Sequence, residues 1–240
     1  MAQVQGLDPH FGEDVPKNLL DFSESSIRRG FIRKVYALVM CQLLVTMGFI
    51  SIFVFYKPTQ LFVETHTYII WTSFVVVFVT IIAMACCESA RRKAPNNFIF
   101  LFIFTVAMSI PLGFVSSKFQ VKEVFIALGV TATICLALTI FAFQTKWDFT
   151  LCGGWLIAAL TVLVTFGFMM LFLPYNNKLN LLYSGVGVLL FSMYLVYDTQ
   201  IMMGGEHRYS ISPEEYVFAA LNIYLDIINI FIRILRLIRY

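Results

Sequence analysis

Seven apolar stretches of about 20 residues alternate with short polar segments: about Val35–Tyr56, Thr67–Cys87, Phe98–Val115, Val124–Phe143, Leu151–Leu173, Leu181–Met203 and Tyr216–Leu235. At ~1.5 Å per residue, a helix of that length crosses ~30 Å of hydrocarbon. The pattern predicts an all-α membrane protein with seven transmembrane helices. The first 26 residues are polar, with acids at Asp8, Glu13, Asp14, Asp21 and Glu24. They lack the apolar core of a cleavable signal peptide and cannot bury a core of their own. Residues 1–26 are therefore read as a short mobile tail and 27–240 as the membrane domain, its first span doing the targeting.

The seventh stretch differs from the rest. Glu215, Asn222, Asp226, Asn229 and Arg233 recur at helical spacing and form one polar stripe, with Ala219 between them, on an otherwise apolar helix. Such a stripe has to face protein or water, which predicts that the C-terminal helix is central in the bundle. Its start is marked by Ser212-Pro213-Glu214-Glu215: Ser212 as N-cap, Pro213 as first helical residue and Glu215 as capping-box partner. Gly204-Gly205 closes the sixth helix, and Pro111, Gly113, Gly153 and Gly154 are packing or kink positions.

Two acids stand apart. The chain has 14 Asp and Glu residues, and every one except Asp198 and Asp226 falls in a tail, a loop or a membrane boundary. An aspartate near the middle of a spanning helix costs roughly 2.5–3.5 kcal/mol to insert, so each is a functional candidate and the other is its first candidate partner. If the sixth helix stops at Met203, Asp198 sits nearer the cytosol than Asp226 by up to ~10 Å; a longer sixth helix would make them level. Carboxyls that meet in low dielectric cannot both ionise cheaply; they share a proton, which makes the contact a proton-sensitive latch. Deprotonated, the same oxygens suit a hard cation such as calcium. The plainer reading is a neutral hydrogen-bonded pair that only sets helix register.

Charge sets the orientation. With the N-terminus cytosolic, the inside segments hold nine basic residues (Arg28, Arg29, Arg33, Lys34, Arg91, Arg92, Lys93, Lys146, Arg208) against four outside (Lys57, Lys118, Lys122, Lys178). Arg233, Arg236 and Arg239 then end outside if the last segment crosses; a segment that dips and returns would keep them inside. The net charge of +3 follows from this topology and implies no nucleic-acid partner. The cysteines Cys41, Cys86, Cys87, Cys135 and Cys152 lie in or at the edge of apolar stretches, which excludes a disulfide framework or zinc spacing. No N-x-S/T acceptor occurs.

From about Ile27 to Leu235 the chain resembles the transmembrane Bax-inhibitor-motif family, its Lifeguard branch most closely. The resemblance rests on IRRGFIRKVY, ACCESARRKAPNN, FQTKWDFT, YDTQIMMGG and SPEEYVFAALNIYLDIINIF. It implies pH-dependent calcium leak from intracellular stores, endoplasmic reticulum or Golgi residence, and suppression of cell death. Asp198 and Asp226 would then be the proton sensor and calcium pathway, with calcium as permeant ion and no cofactor. Bacterial relatives place a basic residue at the cytosolic end of the second helix to engage the pair; here Ala90 holds that position, with Arg91 and Arg92 after it. Either arginine would be a latch reaching Asp198, or else only a topology determinant. Asn222 and Asn229 are further pathway candidates. The long Pro/Gly/Tyr-rich N-terminus of many Lifeguard members is absent.

Rival functions are weaker. Tyr197-Asp198 matches half of an intramembrane aspartyl protease, but Ile223-Tyr224-Leu225-Asp226 replaces the required Gly-x-Gly-Asp with bulky residues, so no enzyme is expected. A receptor reading finds only Ser116-Ser117-Lys118 after the third span and no retinal lysine. His66 and His207 lie in loops and read as solvated; Tyr56, Trp71, Trp147 and Tyr175 read as interface anchors. The serious alternative is a non-conducting protein that acts on death receptors or apoptosis regulators from the bilayer.

Overall fold

The computed structural model describes residues 17–170, 172–174, 176–204 and 211–239, with side chains from residue 26 onward. The tail acids Asp8, Glu13 and Asp14, the anchor Tyr175, and Gly205, His207 and Arg208 lie outside the described residues. Nine α-helices and no strand occur among the described residues. They are α1 (Lys17–Phe55), α2 (Lys57–Thr65), α3 (Tyr68–Cys86), α4 (Glu88–Arg92), α5 (Asn96–Ser116), α6 (Val121–Gln144), α7 (Gly153–Met169), α8 (Asn177–Met203) and α9 (Tyr216–Ile238). Seven helices are long and apolar enough to cross a membrane: α1 from Ser26, α3, α5, α6, α7 with its leading turn, α8 and α9. The short α2 and α4 lie in the connections at opposite ends.

Local chemistry explains where several helices start. Asn176 accepts from the N–H groups of Lys178 (3.0 Å) and Leu179 (3.4 Å) and caps α8. Gln120 and Glu123 form a capping box on α6, Gln120 N–H donating to Glu123 Oε2 at 2.8 Å. Ser212 caps the 3-10 turn Pro213–Glu215 that leads into α9, its Oγ accepting from Glu214 N–H at 3.4 Å. Glu215 departs from the expected capping box, because its carboxylate is drawn to α4 instead.

The central position of the last helix holds. The most apolar window of the last span is 67% buried within the bundle, against 44% for α5 and 11% for the span of α7. Helix α9 packs on α8 most extensively and also on α1, α6 and α5. Its 23 residues form one continuous helix, about 34 Å long, which is long enough to cross and has no break at which it could turn back. Trp155, Phe172 and Leu189 on the outside remain 82%, 76% and 69% exposed, the surface that lipid would cover.

Polar residues spaced by four tie α1, α5 and α9 together. Thr46 Oγ1 lies 2.8 Å from Tyr224 Oη and 3.0 Å from Ser109 Oγ, and Gln42 Nε2 donates to Thr105 Oγ1 at 3.0 Å. All five side chains are buried, so each needs its partner. At one end of the bundle Lys118 pairs with Glu64 and its hydrogen bond holds that carboxyl below its ordinary range.

The α8–α9 contact depends on small residues. A Cβ on Gly187 would land on the Arg233 side chain, which is boxed between the rings of Tyr183 and Phe191 at 4.9 and 5.1 Å. Gly187→Ala should therefore overpack the contact and cost about 1–3 kcal/mol. The check is a thermal midpoint lowered by several degrees; an unchanged midpoint would mean that the helices can part there at no cost.

Candidate functional site

Asp198 and Asp226 face each other across the α8–α9 contact, each the carboxyl partner of the other. Asp226 is 4% exposed, and its Oδ2 has no hydrogen-bond partner of ordinary geometry. Asp198 is half-buried. Tyr194 lies within electrostatic range of both acids and Cys135 within range of Asp226. Among the described residues no cation is in ion-pair contact with either acid to balance two negative charges.

The pair meets even though α8 stops at Met203 and Gly204 caps it, the length for which the expected offset is up to ~10 Å. The reason is the height at which α9 starts. Asp198 is about 7.5 Å from the end of α8, while Asp226 is about 15 Å from the start of α9. With the aspartates level, about the first turn and a half of α9 stands beyond the end of α8. Ile211, ahead of α9, is tied back to α8. Ile211 N–H donates to Ile201 C=O at 3.2 Å, and Arg28 Nη1 donates to Ile211 C=O at 3.1 Å and Met202 C=O at 3.4 Å. Gly204 has φ +59°, and a Cβ on it would lie 2.8 Å from the Arg28 guanidinium, so glycine is required there.

Arg91 and Arg92 are held at this protruding start and not at Asp198. Arg92 Nη2 and Nε donate to Glu215 Oε1 at 2.8 and 3.1 Å, and Arg91 Nε lies 3.2 Å from the same oxygen without hydrogen-bond alignment. Glu88 adds a contact at 3.0 Å to Arg92 Nη1. Hydrogen bonding to Glu215, then the charges of Glu215, Glu88 and Glu214, raise Arg92 further above its ordinary pKa. Ala90 is buried and packs into the core.

Asn222 is half-buried on α9, and Asn229 Nδ2 donates to Leu225 C=O of its own helix at 2.8 Å while lining a cavity nearer the far end. In YDTQ, the buried Gln200 accepts from Phe149 N–H at 2.7 Å and donates to Trp147 C=O at 2.8 Å, fixing the turn before α7. No group of three or more His, Cys, Asp or Glu that could hold a metal occurs among the described residues.

Seven helices long and apolar enough to span, packed around a central last helix whose Asp226 faces Asp198 of its neighbour, define a multi-pass membrane protein with an acid pair between two of its spans. The chain belongs to the Bax-inhibitor family: the family model described as inhibitor of apoptosis-promoting Bax1 matches residues 28–240. It is 40% identical to Protein lifeguard 3 of Homo sapiens over 220 residues, covering 90% of this chain and 70% of that protein. The Mus musculus protein of the same name is 38% identical over 221 residues, covering 91% and 71%. Bax inhibitor 1 of Schizosaccharomyces pombe is 35% identical over 213 residues, covering 89% and 77%.

Proposed function

We propose that this protein is a pH-sensitive calcium leak pathway, or a modulator of calcium homeostasis, in the endoplasmic reticulum or Golgi membrane, and that it suppresses apoptosis through that activity. The observation that carries the proposal is the contact between Asp198 and Asp226. With one proton shared, the pair holds α8 to α9. Without it, two carboxylates repel and present four oxygens to a hard cation. Two carboxylates with water and backbone carbonyls are too few for tight capture, which fits an ion that passes and does not stay. Calcium efflux from vesicles holding the purified protein, at mildly acidic and mildly alkaline pH, tests this. Efflux no faster than from empty vesicles at both pH values would refute conduction.

The names of the relatives, Bax inhibitor and lifeguard, support the cell-death side and also a second reading, a non-conducting protein that acts on apoptosis regulators or death receptors. Loss of both aspartates separates the two, since leak depends on them and scaffolding does not.

The orientation is part of the proposal, with the N-terminus cytosolic. Tags at the N-terminus and in the Glu88–Asn97 connection should be reached by antibody when only the plasma membrane is permeabilised. Protection of either tag would reverse the topology.

A further inference from the structure

Seven residues beyond Asp226 on the same stripe, about 10 Å nearer the far membrane face, lies Arg233. It is only 8% exposed, its Nε has no hydrogen-bond partner, and no acidic side chain lies within ion-pair range of it among the described residues. Tyr183 and Phe191 hold its guanidinium by their ring faces, which orients the plane without neutralising the charge. Arg233 opens onto a cavity of about 260 Å³ that Asn229 and the exposed Arg236 also line. Two arginines and an amide therefore converge where no acidic side chain among the described residues supplies an anion.

The rest of that cavity is apolar. Met108, Leu112 and Val115 of α5 form one wall, and Phe74 of α3, 48% exposed on the outer surface, forms the rim. The cavity thus opens sideways toward the region of the acyl chains, with its cationic end toward the head groups. A buried guanidinium lacking a counter-charge is unfavourable unless an anion completes it, and the planar fork of arginine matches phosphate oxygens in pairs. A soluble anion would use the arginines but not the apolar wall.

We propose that Arg233 and Arg236 bind the phosphate of an anionic phospholipid in the leaflet opposite α4, with an acyl chain lying against Met108, Leu112 and Phe74. The inference is independent of calcium conduction. It assigns a structural lipid to the end of α9 that lacks an acidic partner and makes the packing of α8 on α9 sensitive to lipid composition.

The test is native mass spectrometry and thermal unfolding of the purified full-length chain with dioleoyl phosphatidylglycerol, dioleoyl phosphatidylcholine or millimolar inorganic phosphate. Phosphatidylglycerol should be retained in preference to phosphatidylcholine and should raise the unfolding midpoint. Arg236→Gln, at an exposed position, should keep the fold and weaken phosphatidylglycerol binding by on the order of tenfold. Arg233→Gln should abolish the preference in protein whose circular dichroism is unchanged. Equal retention of the two lipids, or a preference surviving both substitutions, would overturn the site. Stabilisation by inorganic phosphate as large as that by phosphatidylglycerol would overturn the lipid and leave a free-anion site.

Discussion

Asp226→Asn should flatten the pH dependence of calcium flux, and Asp198→Asn should do the same to a smaller degree. Two unit charges ~4 Å apart repel by about 4 kcal/mol at an effective dielectric of ~20. That is enough to change an equilibrium between closed and parted helices by two to three powers of ten. The sign follows from which state holds the proton. At low pH one proton is shared and the α8–α9 contact keeps its full stability; as pH rises the proton leaves, both carboxyls are charged and the contact weakens. Flux through the wild-type protein should therefore rise with pH across neutrality, by on the order of tenfold or more. An amide in either position removes the second charge, so the contact changes less with pH. Asp226 has the larger effect because it is 4% exposed and has an unpartnered Oδ2, whereas Asp198 is half-buried. Flux in proteoliposomes across a pH series provides the measurement. A wild-type profile retained by both variants would end the shared-proton account.

What could be read in advance was whatever repeats along one helix. The apolar runs gave the spans, and the polar stripe of α9 from Asn222 to Arg233 placed that helix at the centre. The same periodicity argument, applied at a spacing of four, would have found Gln42 with Thr46 and Thr105 with Ser109, the residues that lock α1 and α5 onto Tyr224. What could not be read was the meeting of distant segments. Glu215 sits where a capping box calls for it, but its partner Arg92 is 123 residues away in another connection. Arg28 looked like one of several orientation charges; only the fold shows it closing the end of α8 over Gly204. The level of Asp198 with Asp226 depends on how far α9 projects past α8, a quantity tied to the contacts of Ile211 and of α4 and absent from either helix alone. Arg233 belonged to the stripe in sequence, but its ring contacts follow from the register that Gly187 allows.

Arg92→Gln and Glu215→Gln should each raise calcium flux at a given pH, by about two- to tenfold, and combining them should add little to either alone. Helix α4 bridges the ends of α3 and α5, and its arginines grip Glu215 in the turn that leads into α9. Parting Asp226 from Asp198 requires α9 to move against α8, and that movement pulls Glu215 from its two cations. For the proposed leak, the clasp should resist opening at Glu215 while the shared proton resists it at the aspartates. Glu215 keeps only 13% of its side chain exposed, against 32% for Arg92. The pair is thus partly shielded, but high salt should still weaken it and mimic the substitutions in part. The position of Ala90, buried ahead of the arginines, turns Arg91 and Arg92 toward Glu215 in this conformation. Double-mutant cycles on flux decide whether that remains so during opening. Arg92 should couple to Glu215, while Arg91→Ala or Arg92→Ala should act additively with Asp198→Asn. Strong coupling of either arginine to Asp198, with none to Glu215, would mean that α4 swings inward to meet the ionised aspartate, and the clasp would be no more than the resting place of that arm.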